Sequence, residues 1–200
     1  MKIVTIGLCI ALLTSCASAP LSVRYYLLHT PENKVHNSSD ESKPIAVLQS
    51  LQVADYLRQA SLVMQVAEHE LYYSRQDVWA EQLESSFYKA LIQDLNASDQ
   101  RSYVAPSSPQ APDGTTTISI VLDHFHTTDK STVVSSGHYW LSQNDPHAAK
   151  NRKLATSSHS FYFESPLQQD GYAHAVDRLR TLVNNLAQQI EKDISALPNS

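Results

Sequence analysis

Histidines are the side chains with the widest chemical scope in this sequence, and there are nine of them. The nearest approach to a zinc-protease motif is the run His69-Glu70-Leu71-Tyr72-Tyr73. A second imidazole would have to stand where Tyr73 is, so Glu70 has no metal-bound water to activate. His124 and His126 lie two residues apart on a predicted strand and face one side, but they lack a third ligand. We therefore expect no resident metal, and we interpret these histidines as surface or hydrogen-bonded strand residues.

The sequence gives equally weak evidence for other kinds of catalytic site. No serine lies in a G-x-S-x-G elbow, and the four glycines are too scattered for a dinucleotide fingerprint or a P-loop. The acidic pairs Glu68 with Glu70 and Glu81 with Glu84 are better explained as solvated faces than as a glycosidase pair. We expect a protein with no cofactor and no enzymatic activity, although composition alone leaves a hydrolase open.

The charge balance bears on the partners of the protein. The sequence has 200 residues, of which 20 are acidic and 15 basic, and the net charge of -5 gives no reason to expect nucleic acid as a partner. Lys150, Arg152 and Lys153 form the only compact basic cluster, in a predicted loop. A solvated loop is the default interpretation, and contact with acidic lipid headgroups or an acidic partner is the functional alternative.

The N-terminal residues indicate covalent chemistry at Cys16. Lys2 precedes an apolar run from Ile3 to Leu13, which is too short to span a bilayer and is typical of a secretory signal. The run ends in Leu13-Thr14-Ser15-Cys16, which matches the bacterial lipobox. The Cys16 thiol would take a diacylglyceryl group, and a peptidase would cut between Ser15 and Cys16. The alternative is ordinary secretion with cleavage after Ala17-Ser18-Ala19.

Cysteine usage and the residue after the lipobox support an anchored protein. Cys9 leaves with the signal, so Cys16 is the single cysteine of the mature chain and no internal disulfide is possible. Because Ala17 follows it rather than Asp, we expect the periplasmic face of the outer membrane. The expected organisation is a signal peptide over 1–15, a lipidated tether over 16–22 and one domain over 23–198.

Aromatic side chains could form a platform for a sugar or lipid, but alternating aromatic residues in strands more often belong to a core. We therefore expect core positions for the following residues: Tyr25, Tyr26, Tyr72, Tyr73, Trp79, Tyr139 and Trp140.

Periodicity predicts the elements that carry these residues. Strands are expected over 23–28, 45–53, 117–127, 132–142 and 155–164, and a hairpin over 62–73, with Gly137 as a candidate bulge. Polar or proline-rich stretches at 31–43, 105–114 and 143–153 are expected to be loops.

Two helices complete the prediction. Ser74 and Asp77 resemble a capping box for a first helix, whose apolar stripe runs from Trp79 to Leu95. Asp170 is the expected N-cap of a second helix from Tyr172 to about Leu197. The fold class is therefore α+β, a single domain with a mostly antiparallel sheet of about seven strands packed with two principal amphipathic helices.

Several segments in this order resemble a known family. After the lipobox come Tyr25-Tyr26-Leu27-Leu28, then Asp55-Tyr56-Leu57-Arg58, then Trp79-Ala80-Glu81-Gln82-Leu83, and later Leu122-Asp123-His124-Phe125. The sequence is similar over nearly the whole mature chain to the PqiC/YmbA-type lipoproteins, the ABC-type transport auxiliary lipoproteins. Ala54 and Ala60 stand where prolines are expected in the family, which puts the local geometry of that turn in doubt.

The resemblance implies an outer-membrane-anchored, periplasm-facing partner of an MCE-protein system that moves lipid between two membranes. It brings no catalytic residues. We expect Tyr56 and Trp79 to be fold determinants, because a large aromatic residue at a helix start usually packs beneath a sheet. A homo-oligomer is a further possibility. The open alternatives are a lipid-tethered periplasmic hydrolase or metal-dependent enzyme, and a general envelope-stability lipoprotein without transport partners.

Overall fold

The computed structural model describes residues 22–30, 43–98, 100–109, 115–143 and 155–197. Within these ranges the protein has eight strands and two α-helices. The strands are β1 (Arg24–Tyr26), β2 (Ile45–Val53), β3 (Ser61–Ala67), β4 (Glu70–Trp79), β5 (Ser102–Val104), β6 (Thr116–Thr128), β7 (Thr132–Gln143) and β8 (Ala155–Pro166). The helices are α1 (Leu83–Ala97) and α2 (Tyr172–Ser195), and a short 3-10 helix, Asp55–Leu57, joins β2 to β3.

The long strand β6 organises the sheet. On one side it pairs along its whole length with β7, which in turn pairs with β8, and both pairings are antiparallel. On the other side its first half pairs in parallel with β2 and its last residues pair with β3. The path across the remaining strands runs β1-β4-β3-β6-β2-β5, so β1 and β5 lie at edges. The prediction of a single α+β domain with a mostly antiparallel sheet is confirmed.

A bulge interrupts the β6–β7 pairing beside the predicted glycine. Leu122 pairs with Gly137, but the next pair is His124 with Ser136, so Asp123 is the extra residue. A Cβ at Gly137 would lie 2.1 Å from the Val121 carbonyl oxygen, so no larger residue fits there without moving β6.

Both helices pack against each other and against the sheet, and the main core lies between these layers. Phe87 of α1 meets Phe125 of β6 edge to face, with ring centroids 5.2 Å apart. A doubly bonded ion pair joins the helices, in which Arg180 donates to both oxygens of Asp94 at 2.5 and 2.6 Å. The predicted apolar stripes are buried, and in α1 they comprise Leu83, Phe87, Leu91 and Leu95.

The predicted start of the first helix is wrong. Ser74, Asp77 and Trp79 belong to strand β4, and α1 begins only at Leu83, after Gln82. The Ser74 hydroxyl does accept a bond from the Asp77 amide at 2.9 Å, as an N-cap would. That bond forms within an irregular strand, where the local pattern of a cap occurs without a helix.

The predicted N-cap of the second helix needs correction, and the sheet has one strand more than the seven expected. Gly171, with φ 105°, is the N-cap of α2, and it has no side-chain capping bond, so Asp170 is not the cap. The conformation favours glycine because a Cβ is strained at this φ. The strand that was not predicted is β5 (Ser102–Val104), which pairs with β2. Its three residues are too few to give an alternating pattern.

Candidate functional site

The histidine motif that approaches a zinc-protease sequence lies at an exposed turn. His69 stands between β3 and β4, its side chain is 90% exposed, and its 3.9 Å contact is with the neighbouring Glu68. The flanking residues are extended, so the i, i+4 geometry of a helical zinc site does not arise. Within the ranges that the structure describes, no group of three or more histidine, cysteine, aspartate or glutamate side chains could hold a metal ion.

His124 and His126 form part of a ring cluster with Tyr56. Their ring centroids are 5.6 Å apart, and Tyr56 lies 6.5 Å from His124 and 6.1 Å from His126. The Tyr56 hydroxyl donates to the Asp123 carbonyl oxygen at 3.0 Å. The connection from β2 to β3 leaves a gap in the pairing along this edge of β6. The bond from Tyr56 satisfies a β6 carbonyl in that gap. Tyr56 therefore closes a break in the sheet.

The surroundings of Tyr56 and His126 favour the neutral forms of these two side chains. Burial raises the pKa of the Tyr56 hydroxyl, and Tyr73 and the Asp123 carboxylate add to the shift. Burial lowers the pKa of His126, and His124 lowers it further, against the opposing bond to the Thr127 carbonyl. Because that 2.9 Å bond needs a donor, the proton of neutral His126 is on Nδ1. The cluster is built to pack rather than to exchange protons near neutral pH.

One arrangement in this region has a nucleophile and a base in contact. His124 Nδ1 lies 2.9 Å from the Ser136 hydroxyl across β6 and β7. Among the described residues no carboxylate bonds the other nitrogen of His124, and the nearby Asp123 pairs instead with His138 Nδ1 at 3.2 Å. A serine and a histidine without an orienting third group lack the geometry of a catalytic triad.

A second polar cluster holds the N-terminal edge strand to the domain. The Asp77 carboxylate is buried and accepts from the Arg24 guanidinium at 2.8 Å and from the Tyr26 hydroxyl at 2.9 Å. The Ser74 hydroxyl donates to its second oxygen at 3.2 Å. The bond from Arg24 to Asp77 raises the pKa of Arg24. Burial is the main cause of the raised pKa of Tyr26, and its own bond to Asp77 adds to it. The carboxylate therefore binds β1 through charge-assisted bonds.

The residues after β1 continue this attachment, and we call residues 24–30 together with their partners the N-terminal clamp. Leu28 is buried, and its amide donates to the hydroxyl of Ser86, in α1, at 3.1 Å. The Ala80 amide donates to the Tyr26 carbonyl at 2.8 Å.

The clamp ends in an ion-pair group at the start of α1. His29 Nδ1 lies 3.2 Å from one oxygen of Glu81, and Lys89 Nζ lies 2.5 Å from the other. Burial alone would raise the pKa of Glu81, but Lys89 and His29 outweigh it and the pKa is lowered. The clamp thus joins the segment that follows the predicted tether to both the sheet and α1.

Helix α2 is fixed to the sheet by two tyrosine–carboxylate pairs. The Tyr103 hydroxyl donates to Glu191, and the Tyr139 hydroxyl donates to Asp193. His159 also pairs with Asp193 at 3.2 Å and stacks on Tyr139 with centroids 4.9 Å apart. In both tyrosines burial is the main cause of a raised pKa, and the carboxylate adds to it.

The predicted site residues form two groups, those that the structure describes and those that lie outside the described ranges. Trp79 is 5% exposed at the end of β4 and Tyr56 is half-buried, and their role as fold determinants stays a prediction. Ser15, Cys16 and the basic cluster of Lys150, Arg152 and Lys153 lie outside the described residues.

Some of the aromatic residues expected in the core are buried, and others are exposed. Tyr139 and Trp79 are buried, and Tyr26 and Tyr73 pack against the core. Trp140 is half-buried and stacks on His138. Tyr25 and Tyr72 are not core residues, because they are 69% and 50% exposed.

Asp77 is the functional residue that reasoning from the sequence misassigned. The sequence signal is Asp77 three residues after Ser74, a spacing that a helix cap explains equally well. Only the parallel pairing of Arg24 with Asp77 in the sheet brings its partners to it.

Comparisons with known proteins give the following similarities. Residues 26–191 match the family described as ABC-type transport auxiliary lipoprotein component. The chain is 23% identical over 188 residues to the intermembrane transport lipoprotein PqiC of Escherichia coli K12, covering 93% of this chain and 94% of that protein. The PqiC of Shigella flexneri gives the same values.

Two solved structures share the fold. A protein described as uncharacterized superposes with a TM-score of 0.69 at 21% identity, covering 86% of this chain and 99% of that one. The protein XCC0632 from Xanthomonas campestris superposes with a TM-score of 0.57 at 10% identity, covering 74% and 81%.

Proposed function

This chain belongs to the ABC-type transport auxiliary lipoprotein family, and from that premise we propose that it is a lipid-anchored docking subunit of an intermembrane lipid transport system. In this proposal acyl chains on Cys16 hold it at the periplasmic face of the outer membrane. The folded domain binds an MCE-domain protein of the same system. The observation that carries the proposal is the family match over residues 26–191, which includes most of the clamp, strands β2 to β8, helix α1 and most of helix α2. The name of the PqiC relatives, an intermembrane transport lipoprotein, supports the same role.

The N-terminal clamp supports the mechanical part of this proposal. An anchored docking subunit must transmit force from its lipid to its folded domain. Asp77 and Ser86 bind residues 24–28 by several independent bonds, and Glu81 lies 3.2 Å from His29. Pulling on the tether would therefore load β4 and α1 rather than peel off a free end. Two or more acyl chains are needed for stable anchoring, which lipidation of a new N-terminal cysteine supplies.

Docking rather than catalysis fits the described chemistry. The Ser136–His124 contact lacks an orienting carboxylate, and burial raises the pKa of Tyr56 and lowers the pKa of His126. Neither described helix is long and apolar enough to cross a membrane. In this account the energy for transport comes from another component of the system.

The test of anchoring compares Cys16→Ser with the wild type in a strain lacking the gene. A hydroxyl cannot replace the thiol, so the variant should incorporate no labelled palmitate and should fail to rescue sensitivity to detergent or oxidant. The matched control is Cys9→Ser, a cysteine within the expected signal that the lipidation chemistry does not use. It should be labelled and should rescue like the wild type.

Equal palmitate labelling of the Cys16→Ser variant, or full rescue by it, would contradict the proposed anchoring. The enzyme alternative is tested in the same assay. The double variant Ser136→Ala with His124→Ala should rescue fully in the docking account, and loss of rescue with a normal amount of folded protein would favour catalysis.

A further inference from the structure

The exposed large apolar side chains of the described residues are concentrated at the N-terminal edge. They are Val23, Tyr25, Leu27, Tyr72 and Tyr162, with exposures of 43%, 69%, 46%, 50% and 65%. The first three are alternate residues of one short extended segment, so they share a face. We call Val23, Tyr25 and Leu27 the edge triad.

The edge triad points away from Asp77 and the other partners of the clamp. Arg24 and Tyr26 bind Asp77, and Leu28 is buried, so the even-numbered residues face the domain. The odd-numbered residues must then face outward. A strand with one solvated face normally alternates apolar inside with polar outside. Here the outer face carries the apolar or aromatic residues Val23, Tyr25 and Leu27 instead, which marks it as a contact surface.

The length of the chain between the lipid and the edge triad limits what can cover it. Cys16 precedes Val23 by seven residues. A fully extended chain of that length spans at most about 25 Å. The headgroup layer of a leaflet is about 5–8 Å thick, so a lipidated Cys16 keeps β1 within about 25 Å of the membrane and allows its side chains to reach the headgroups. Strand β1 also lies at the end of the sheet, with its pairing to β4 on one side only.

We propose that the edge triad inserts into the headgroup region of the membrane that carries the lipidated Cys16. This inference rests on the proposed anchoring. Tyrosine suits the position because its ring is apolar and its hydroxyl is polar, as in the aromatic belts of membrane proteins. The flanking Arg24 has its charge matched by Asp77, so its side chain brings no uncompensated charge to the interface. Three contacts beside the lipid would fix the orientation of the domain, with β1 toward the membrane.

The experiment places a fluorescent reporter at the centre of the edge triad. Tyr25→Trp is compared with Tyr162→Trp, a tyrosine of similar exposure on β8, at the other side of the sheet. β8 is five strand spacings from β1 along the pairing path, or about 24 Å. Each full-length lipidated variant is reconstituted in vesicles of phosphatidylethanolamine and phosphatidylglycerol that carry bromine near the headgroups. The signal of Trp79 and Trp140, measured in the unsubstituted protein, is subtracted.

The expected result is a blue shift and loss of emission by bromolipid for the reporter at position 25, and neither for the reporter at 162. Adding Val23→Ser and Leu27→Ser to the Tyr25→Trp protein should reduce the quenching. Both side chains are substantially exposed, so the fold should persist, which circular dichroism checks.

Three results would overturn the inference. An unshifted and unquenched reporter at 25 means that water covers the triad. A blue-shifted but unquenched reporter means that a protein, such as a second copy, covers it. Equal quenching at both positions means that the domain has no fixed orientation. Palmitate labelling of the same preparations separates these results from a failure of anchoring, because an unlabelled protein contradicts the proposed function itself.

Discussion

The Asp77 carboxylate holds β1 of the N-terminal clamp to β4. Its carboxylate is bound by residues of β1 and by Ser74 of its own strand, and it is almost fully shielded from water. A buried carboxylate is costly unless its hydrogen bonds are satisfied, and here three side chains satisfy them. Asp77 therefore determines whether β1 stays on the sheet.

Asp77→Ala should lower the free energy of unfolding by about 2–3 kcal/mol, because the Tyr26 and Ser74 hydroxyls lose a charged acceptor. The exposed part of the Arg24 side chain keeps its share small. Urea denaturation measures the change, and Asp177→Ala on the exposed side of α2 is the matched control. A loss no larger than that of the control would show that the clamp carries no stability.

His126 should make stability depend on pH. Its pKa in the folded protein is below the ordinary value of 6.5, so between those values the unfolded chain binds more protons. Stability is therefore fully present above pH 6.5 and decreases as the pH falls toward the folded pKa. His126→Asn should flatten this decrease, measured as urea midpoints from pH 7.5 to 5.

The control for this titration is His69→Asn, at the exposed β3–β4 turn, which should leave the slope unchanged. His124 and Tyr56 face His126 and remain in both variants. An unchanged slope in His126→Asn would show that its burial does not set the acid sensitivity of the fold.

Among the helices and strands, those with a long apolar repeat could be predicted from the sequence. Those that are defined by contacts with distant parts of the chain could not. The apolar residues of α2 recur over many turns, so its existence and its starting residue, Tyr172, could be predicted. The start of α1 could not, because Ser74 and Asp77 form the same local bond in a strand as in a helix cap. The three residues of β5 have no pattern of their own, and their pairing with β2 defines them.

Gly137→Ala tests the close approach of β6 and β7. The new methyl group would meet the Val121 carbonyl oxygen at 2.1 Å and the Phe161 ring at 3.1 Å. Because the first neighbour is backbone, the strands must separate, at a cost of about 3 kcal/mol. Thermal or urea unfolding measures the loss.

The comparison variant is His138→Ala, the next residue of β7, whose exposed side chain pairs with Asp123. An exposed ion pair contributes less than about 1 kcal/mol, so this variant should remain close to the wild type. Similar stabilities of the two variants would contradict the close packing at the bulge.

At the scale of the whole molecule, the path of the chain explains why the candidate sites were only partly foreseen. β2 and β3 lie one after the other along the same side of β6, and Tyr56 fills the gap between them. The family resemblance directed attention to Tyr56 and Trp79, but no local pattern predicts that Tyr56 bonds a β6 carbonyl. The exposure of Tyr25 was missed for the same reason, since an edge strand and a buried strand have similar sequences.

The account places an anchored domain between an outer membrane and a transport partner. Its clamp links the tether to β4 and α1, and its helices are fixed to each other and to the sheet. Under the proposed function, such a molecule would act as a rigid adaptor between the lipid anchor and the transport partner.

The most direct test of the central claim is co-purification of the full-length, lipidated chain from solubilised envelope membranes, followed by mass spectrometry of the bound proteins. The account predicts that an MCE-domain protein is recovered with it, and that Asp177→Ala, on the exposed side of α2, leaves the recovery intact as a folded control. Recovery of the lipidated chain in quantity without any MCE-domain protein would contradict the account.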